Sequence, residues 1–335
     1  MIRFIWLLVF AVQLCAANGY SQINSAQAIK IGGIQQWISI KGTDSSNPVL
    51  LFLHGGPGNS AMSYADRFTN QLQSHFVVVQ WDQRESGKTA KLNKSDKPLS
   101  VSIMEDDAVE IINYLRSRFL KDKIYLMGHS WGGFLGLTVA ANHPELLEAY
   151  FAISPMVHQM ESERLSLEWL KNKAKGDHNQ KAWEELALVS IPFQNADQLY
   201  YHRSWLARAM GTKLPSKSYV EAWGKIWLTL YNEASQVSFF EIAPEIECPI
   251  YFFVGSKDYT THFKVTEDYY KIVKADKKRL FWFTDSGHNL NLTEPKRLQE
   301  IIIKELVSMS FLRPSTLHIG GRRKPAKPTA HGMRD

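Results

Sequence analysis

Only two cysteines occur in 335 residues. Cys15 lies in an N-terminal segment that reads as a removable leader. Its loss leaves Cys248 alone and excludes an intrachain disulfide, even in an oxidising compartment. Cys248 precedes Pro249 and an apolar run, so it is read as a buried structural thiol. No Cys and His set has the spacing of a zinc site, and no metal is expected. A long apolar run is also missing. Residues 4–14, interrupted only by Gln13, fall short of the ~20 that a membrane span needs. With Arg3 before them and Cys15-Ala16-Ala17 after, residues 1–19 are read as an export signal, Gly19 offering a second cut site. The expectation is a periplasmic or secreted protein, or an anchored one if the signal is retained. Leu14 is bulky where a lipoprotein signal carries a small residue.

Surplus charge is absent from the body of the chain. The formal charge is +6, but Arg313, Arg322, Arg323, Lys324, Lys327 and Arg334 stand against Asp335 alone, and Arg3 supplies the remainder. The stretch 4–312 is formally neutral, so the folded part offers no basic footprint for nucleic acid. Residues 313–335, rich in Pro, Gly, Arg and Lys, are read as a disordered tail. There is no repeat of fixed period. Gly87-Lys88-Thr89 is not a phosphate loop, because the earlier glycine of that motif would fall on Asp82.

What is present is a rhythm of short apolar runs. Residues 28–31 and 36–40 flank Gly32-Gly33 and predict an antiparallel hairpin. Runs follow at 49–53, 76–80, 124–127, 150–153, 250–254 and 280–283. Continuous apolar runs of this length suit strands buried on both faces of a parallel sheet. Helices are predicted between them. One opens at a Ser102-Ile103-Met104-Glu105 capping box and runs to about Arg118, with Ile112, Leu115 and Phe119 inward. A second covers 132–142 and stops at His143-Pro144. A third covers 294–307, with Leu298, Ile301, Ile302 and Leu306 on one stripe. Alternation of this kind predicts an α/β layered fold. Residues 156–245 break it: they hold Trp169, Trp183, Trp205, Trp223 and Trp227, read as core packing, among predicted helices near 181–189, 196–210 and 218–233. The chain therefore divides into a core (20–155), a helical cap (156–245) and a second core segment (246–312).

The chemistry-bearing motifs sit at strand ends. Gly128-His129-Ser130-Trp131-Gly132 follows one strand and opens a helix, the context of a nucleophile elbow that lifts a serine hydroxyl above the sheet. His54-Gly55-Gly56-Pro57-Gly58 follows another strand, where backbone N–H groups can face an oxyanion; Gly56, with the N–H of Trp131, is the candidate pair. Asp258 follows the run 250–254 and His288 follows 280–283, both where open α/β sheets place their sites. The order Ser, Asp, His completes a triad of nucleophile, orienting acid and general base. Asp285 and Asp276 are alternative acids, but neither follows a strand of its own. His75, His143, His158, His178, His202 and His262 are read as structural or solvent-facing.

His54-Gly-Gly-Pro-Gly58, Trp81-Asp-Gln-Arg84 with Ser86-Gly87, the elbow through Gly133, and the late Asp258 and His288 together resemble the proline iminopeptidase branch of the α/β-hydrolases. The resemblance runs from about residue 30 to 308. It implies an α/β-hydrolase fold with a helical cap, release of an N-terminal residue from small peptides, and no metal or organic cofactor. It implies that Gly56 and Trp131 form the oxyanion hole and that Asp82 and Arg84 brace the nearby loop. Glu85 stands where the family has glycine, a costly choice if that position needs φ > 0. The family reads the substrate ammonium with glutamates near an Ala-Trp-x-x-Trp-Glu stretch. Here Ala222-Trp223-Gly-Lys-Ile-Trp227 is one residue longer and lacks the following Glu, so Glu221 and Glu233 are the candidate substrate-binding residues. The expected partner is a small-molecule or short-peptide substrate. An ester or lactone hydrolase using the same triad is the alternative. A non-catalytic binding protein is a third, disfavoured by the intact Ser-Asp-His set.

Overall fold

The computed structural model describes residues 21–93 and 98–312. The expected export signal, the expected basic tail and residues 94–97 lie outside them. The sheet holds eight strands: β1 (Ile23–Ile31), β2 (Ile34–Gly42), β3 (Val49–Leu53), β4 (Val77–Asp82), β5 (Ile124–His129), β6 (Leu147–Ile153), β7 (Ile250–Gly255) and β8 (Lys278–Phe283). Their spatial order is β1-β2-β4-β3-β5-β6-β7-β8. The β1–β2 hairpin is antiparallel and joins β4 antiparallel, and every pairing from β4 through β3 to β8 is parallel. The parallel strands are those that the apolar runs predict, and the whole is the α/β-hydrolase sheet that the resemblance implies.

Period-two alternation on buried strands splits the core across the sheet. Val49, Leu51 and Leu53 of β3 point into one cluster, with Val77, Val79 and Leu126. Leu50 and Phe52 point to the other face, with Val78, Met127, Phe151 and Phe253. Cys248 is buried just before β7, and desolvation pushes its thiol up to about 12, in keeping with the structural thiol read from the sequence.

Twelve α-helices lie among the described residues. The short α1 (Asp66–Thr69) and α2 (Thr89–Leu92) precede α3 (Val101–Phe119) and α4 (Trp131–Asn142). Between β6 and β7 lie α5 (Gln159–Gly176), α6 (Gln180–Ala187), α7 (Ala196–Ala209), α8 (Lys217–Ser235) and α9 (Phe239–Ile242). Then come α10 (Phe263–Ile272), α11 (Leu290–Thr293) and α12 (Pro295–Leu312).

Four sequence expectations need correction. The N-cap of α3 is Ser100, not Ser102: its backbone is extended and its side chain accepts from the Ile103 N–H at 3.3 Å. Ser102 and Glu105 fall inside the first turns, where they cannot form the box. Phe119 is only half-buried, and the inward stripe of α3 runs through Met104, Ala108, Ile111, Ile112 and Leu115. Helix α5 is absent from the sequence reading: its inward face carries Leu167, Leu170 and Ala174 only in its second half, and Gln159, Ser162, Glu163 and Ser166 in its first. Of the five insertion tryptophans, Trp227 is buried and Trp169, Trp205 and Trp223 pack partly against the core, whereas Trp183 is exposed.

Two buried polar assemblies join the layers. Arg84 makes a fork to Asp107, with Nε to Oδ2 at 2.8 Å and Nη2 to Oδ1 at 2.9 Å, both side chains being almost fully buried. Gln36 Nε2 also donates to Asp107, and Arg84 Nη2 donates to the Gly32 carbonyl. The loop after β4 is thus bolted to α3 and to the hairpin turn, the bracing expected of Arg84. In the insertion, the Glu163 carboxylate of α5 takes Arg203 of α7 and the Tyr231 hydroxyl of α8. Burial acts to raise this carboxyl, but the Arg203 guanidinium outweighs it and holds Glu163 below the usual carboxylate range.

Two buried imidazoles are neutral by the direction of their hydrogen bonds. His202 Nδ1 faces Arg203 Nη1 at 2.8 Å and can only accept. His54 Nε2 accepts the Gln83 N–H at 3.2 Å while Nδ1 faces the Gly55 carbonyl at 2.9 Å. Desolvation lowers both, His202 to about 4.

Asp107→Ala removes the buried carboxylate that pairs with the Arg84 guanidinium and is expected to cost about 3–5 kcal/mol of stability, read as a lower urea midpoint at unchanged slope. The neutral histidines give the fold an acid-labile window. Their folded pKa lies below the unfolded value of 6.5, so the unfolded chain gains protons first and stability falls as pH drops below 6.5, for His202 down to about 4. Each contributes up to ~1.4 kcal/mol per pH unit. Thermal melting followed from pH 7 to 4.5 should show this decline, and a flat melting temperature would contradict the neutral assignments.

Candidate active site

The turn between β5 and α4 fixes Ser130 at φ 58°, ψ −115°, a left-handed conformation that side chains adopt at a cost. Its N–H donates to the Ile153 carbonyl of β6 at 3.0 Å, and its carbonyl takes the Phe134 N–H at 3.0 Å. Glycine at 132 is a steric requirement. A Cβ there would lie 2.0 Å from the Leu53 carbonyl oxygen, so only glycine lets α4 start against the end of β3.

Ser130, His288 and Asp258 lie in one hydrogen-bonded chain. His288 Nε2 is 3.0 Å from Ser130 Oγ, and His288 Nδ1 is 3.0 Å from Asp258 Oδ2. A carboxylate partner on Nδ1 assigns the proton there and leaves Nε2 free to accept from the serine. Asp258 Oδ1 takes the N–H groups of Thr260 at 2.9 Å and Thr261 at 3.1 Å, and Oδ2 takes the Thr261 hydroxyl at 2.9 Å. Burial acts to raise the Asp258 carboxyl, but His288 and these donors outweigh it and hold the group below the usual carboxylate range. Asp285 and Asp276, the alternative acids, are both exposed.

The histidine is held from behind. His129 Nε2 donates to the His288 carbonyl at 3.0 Å, and the two rings are 4.9 Å apart. Desolvation, and next the His288 ring, lower His129 to about 4, so it is a neutral donor. The Gly-x-Ser-x-Gly pattern gave no signal for this contact.

The loop 54–58 lies against the elbow. A Cβ built on Gly55 would be 3.2 Å from Ser130 Cβ. Among the described residues nothing accepts from the N–H of Gly56 or of Trp131, the two candidate oxyanion donors. Gln83, which sequence reasoning passed over, ties both sides together: its Nε2 donates to the His54 carbonyl at 3.1 Å and its Oε1 accepts the Trp131 indole at 2.9 Å. It stands inside Trp81-Asp-Gln-Arg, so a signal existed. Asp82 braces the same loop, accepting the Ser60 hydroxyl and the Lys88 N–H. Glu85 does occupy a left-handed position, φ 55°, the conformation that makes glycine the expected residue there.

The two candidate ammonium readers are not brought to this chain of residues. Glu221 is exposed and faces Lys217 one turn away on α8. Glu233 is exposed and accepts the Val101 N–H at 3.1 Å, which caps α3. The buried carboxylate of the insertion is Glu163, for which the polar sequence of α5 gave no signal. Among the described residues no three His, Cys, Asp or Glu side chains are grouped to hold a metal ion, and no helix is long and apolar enough to cross a membrane.

A family model described as alpha/beta hydrolase fold matches residues 48–295. The chain is 28% identical over 291 residues to a probable aminopeptidase, YbaC, of Bacillus subtilis (strain 168), covering 80% of this chain and 91% of that one. It is 23% identical over 267 residues to a proline iminopeptidase of Heyndrickxia coagulans, covering 76% of this chain and 88% of that one. In structure it resembles the proline iminopeptidase of Mycobacterium smegmatis, with a TM-score of 0.62 at 16% identity over 86% of this chain and 99% of that one. The chain belongs to the α/β-hydrolase fold family; it is a hydrolase, and it is similar to the proline iminopeptidase branch of that family.

Proposed function

We propose that this hydrolase works through an acyl-enzyme on Ser130 and removes N-terminal residues from short peptides. The observation that carries the first part is the unbroken chain from Ser130 Oγ through His288 to Asp258, 3.0 Å at each link. His288 Nε2 takes the serine proton as Oγ attacks the substrate carbonyl. Asp258 keeps Nδ1 protonated and stabilises the imidazolium that forms. The N–H groups of Gly56 and Trp131 receive the oxyanion, each donor being worth about 3–4 kcal/mol in such sites. The tetrahedral intermediate collapses by expelling the amine, which takes its proton from His288. Water then attacks the ester, giving its proton to His288, and the acid leaves as Ser130 is restored.

The aminopeptidase part rests on the likeness to the Bacillus subtilis protein, which runs over nearly its whole length. The proposal includes export through residues 1–19, a cap formed by 156–245, and no cofactor. A second reading, hydrolysis of esters or lactones, is favoured by one observation. Among the described residues the buried carboxylates Asp82, Asp107, Glu163, Asp258 and Glu305 all have partners already, so none is free for an ammonium group.

Hydrolysis of L-proline p-nitroanilide, its N-acetyl form and p-nitrophenyl butyrate separates the two. The aminopeptidase reading expects the free-amine anilide to be cleaved and the acetylated one to be spared. Cleavage of the butyrate alone rejects that reading and leaves the ester hydrolase. Ser130→Ala should lower kcat by roughly 10⁴–10⁶-fold on whichever substrate is cleaved.

A further inference from the structure

Helix α8 carries aromatic residues at 219, 223, 227 and 231, a spacing of four that keeps them on one side of the helix over three turns. The first three all meet the loop that bears Gly56. The Tyr219 hydroxyl donates to Asn59 Oδ1 at 2.7 Å, and the Trp223 indole N–H donates to the Pro57 carbonyl at 2.8 Å. The Trp227 ring lies so close to Gly58 that a Cβ there would sit 2.4 Å from its Cε2. The fourth, Tyr231, anchors the helix at its other end by donating to Glu163, which Arg203 also holds. From Glu163 the chain of contacts continues. Gln159 Nε2 donates to Glu163 Oε1 and to the Thr260 carbonyl, both at 2.8 Å, and the Thr260 N–H donates to Asp258.

These contacts have a consequence for chemistry. A short glycine-rich loop has little side-chain packing of its own to hold a backbone N–H in one direction, and an oxyanion donor is effective only if it is already aimed. Gln83 and His54 fix the loop where it leaves β3, at residues 54 and 55. Beyond Gly56 the side-chain contacts at Pro57 and Asn59 come from α8, and the one at Ser60 comes from Asp82. We propose that α8 is a positioning element for the oxyanion loop, with Trp223 as the principal positioning residue, acting through the Pro57 carbonyl, and Tyr219 and Trp227 on either side. The helical insertion thus aligns the Gly56 N–H in addition to covering the site. This rests on the oxyanion role proposed for Gly56.

The test compares wild type, Trp223→Phe and Tyr219→Phe in p-nitrophenyl butyrate hydrolysis, alongside the affinity of phenylboronic acid, which forms a tetrahedral adduct on an active serine. Trp223→Phe is expected to lower kcat about tenfold, weaken the boronate by the same factor and leave KM within about twofold. Tyr219→Phe should act in the same direction, roughly threefold. A raised KM with kcat and boronate affinity unchanged would make Trp223 a substrate contact and overturn the proposal, as would no change in any of the three. If Trp223→Phe does not fold, Tyr219→Phe decides by the same criteria, since its ring is half exposed. Labelling of wild-type Ser130 by a fluorophosphonate is the separate control. Without it the acyl-enzyme reading falls and this inference with it; with it, silent variants overturn this inference alone.

Discussion

The site depends on the left-handed turn at Ser130. That turn exists because β5 must end and α4 begin within one residue, with α4 pressed onto the end of β3 through Gly132. The conformation costs of order 1–3 kcal/mol, and the neighbouring strands over-determine it through the bond to Ile153 and the buried α4. The result is a hydroxyl held above the C-terminal edge of the sheet. The loops after β3, β7 and β8 open at that same edge. They bring the Gly56 loop, Asp258 and His288 to it without any one loop having to travel far.

Around this turn several buried polar groups hold the loops in place. The Arg84–Asp107 fork fixes the loop after β4, and Gln83 in that loop links the Gly56 strand end to the elbow. His129 and His54 are neutral imidazoles that hold backbone carbonyls in place. Among the described residues only the His288–Asp258 pair combines a buried carboxylate with an imidazole that also reaches a hydroxyl. The insertion repeats this logic at larger scale, with Glu163 gathering α5, α7 and α8 and passing on through Gln159 to the Thr260 carbonyl.

The middle of the sheet was legible because β3 to β7 are buried on both faces and leave continuous apolar runs; β3 spans the very residues 49–53 that the pattern marks. Ser130, Asp258 and His288 were legible because each follows such a run. Legibility failed where polar residues face inward. The first half of helix α5 buries Gln159, Ser162, Glu163 and Ser166, so the apolar stripe is confined to Leu167, Leu170 and Ala174, and the pattern does not mark the carboxylate at 163. It failed also where two serines compete for one cap, since only the backbone conformation at Ser100 decides between it and Ser102. Glu221 and Glu233 were chosen by proximity to a motif in the chain. Helix geometry turns both away to solvent, a placement that spacing alone does not give.

The central claim is that Ser130 carries the acyl group. Wild-type protein mixed with p-nitrophenyl butyrate, quenched in acid on the millisecond scale and digested for mass spectrometry, tests it directly. The account predicts a butyryl group on the peptide containing Ser130, absent from Ser130→Ala and reduced in His288→Ala. Turnover of the ester with no acyl group on that peptide, or with one on another residue, would contradict it.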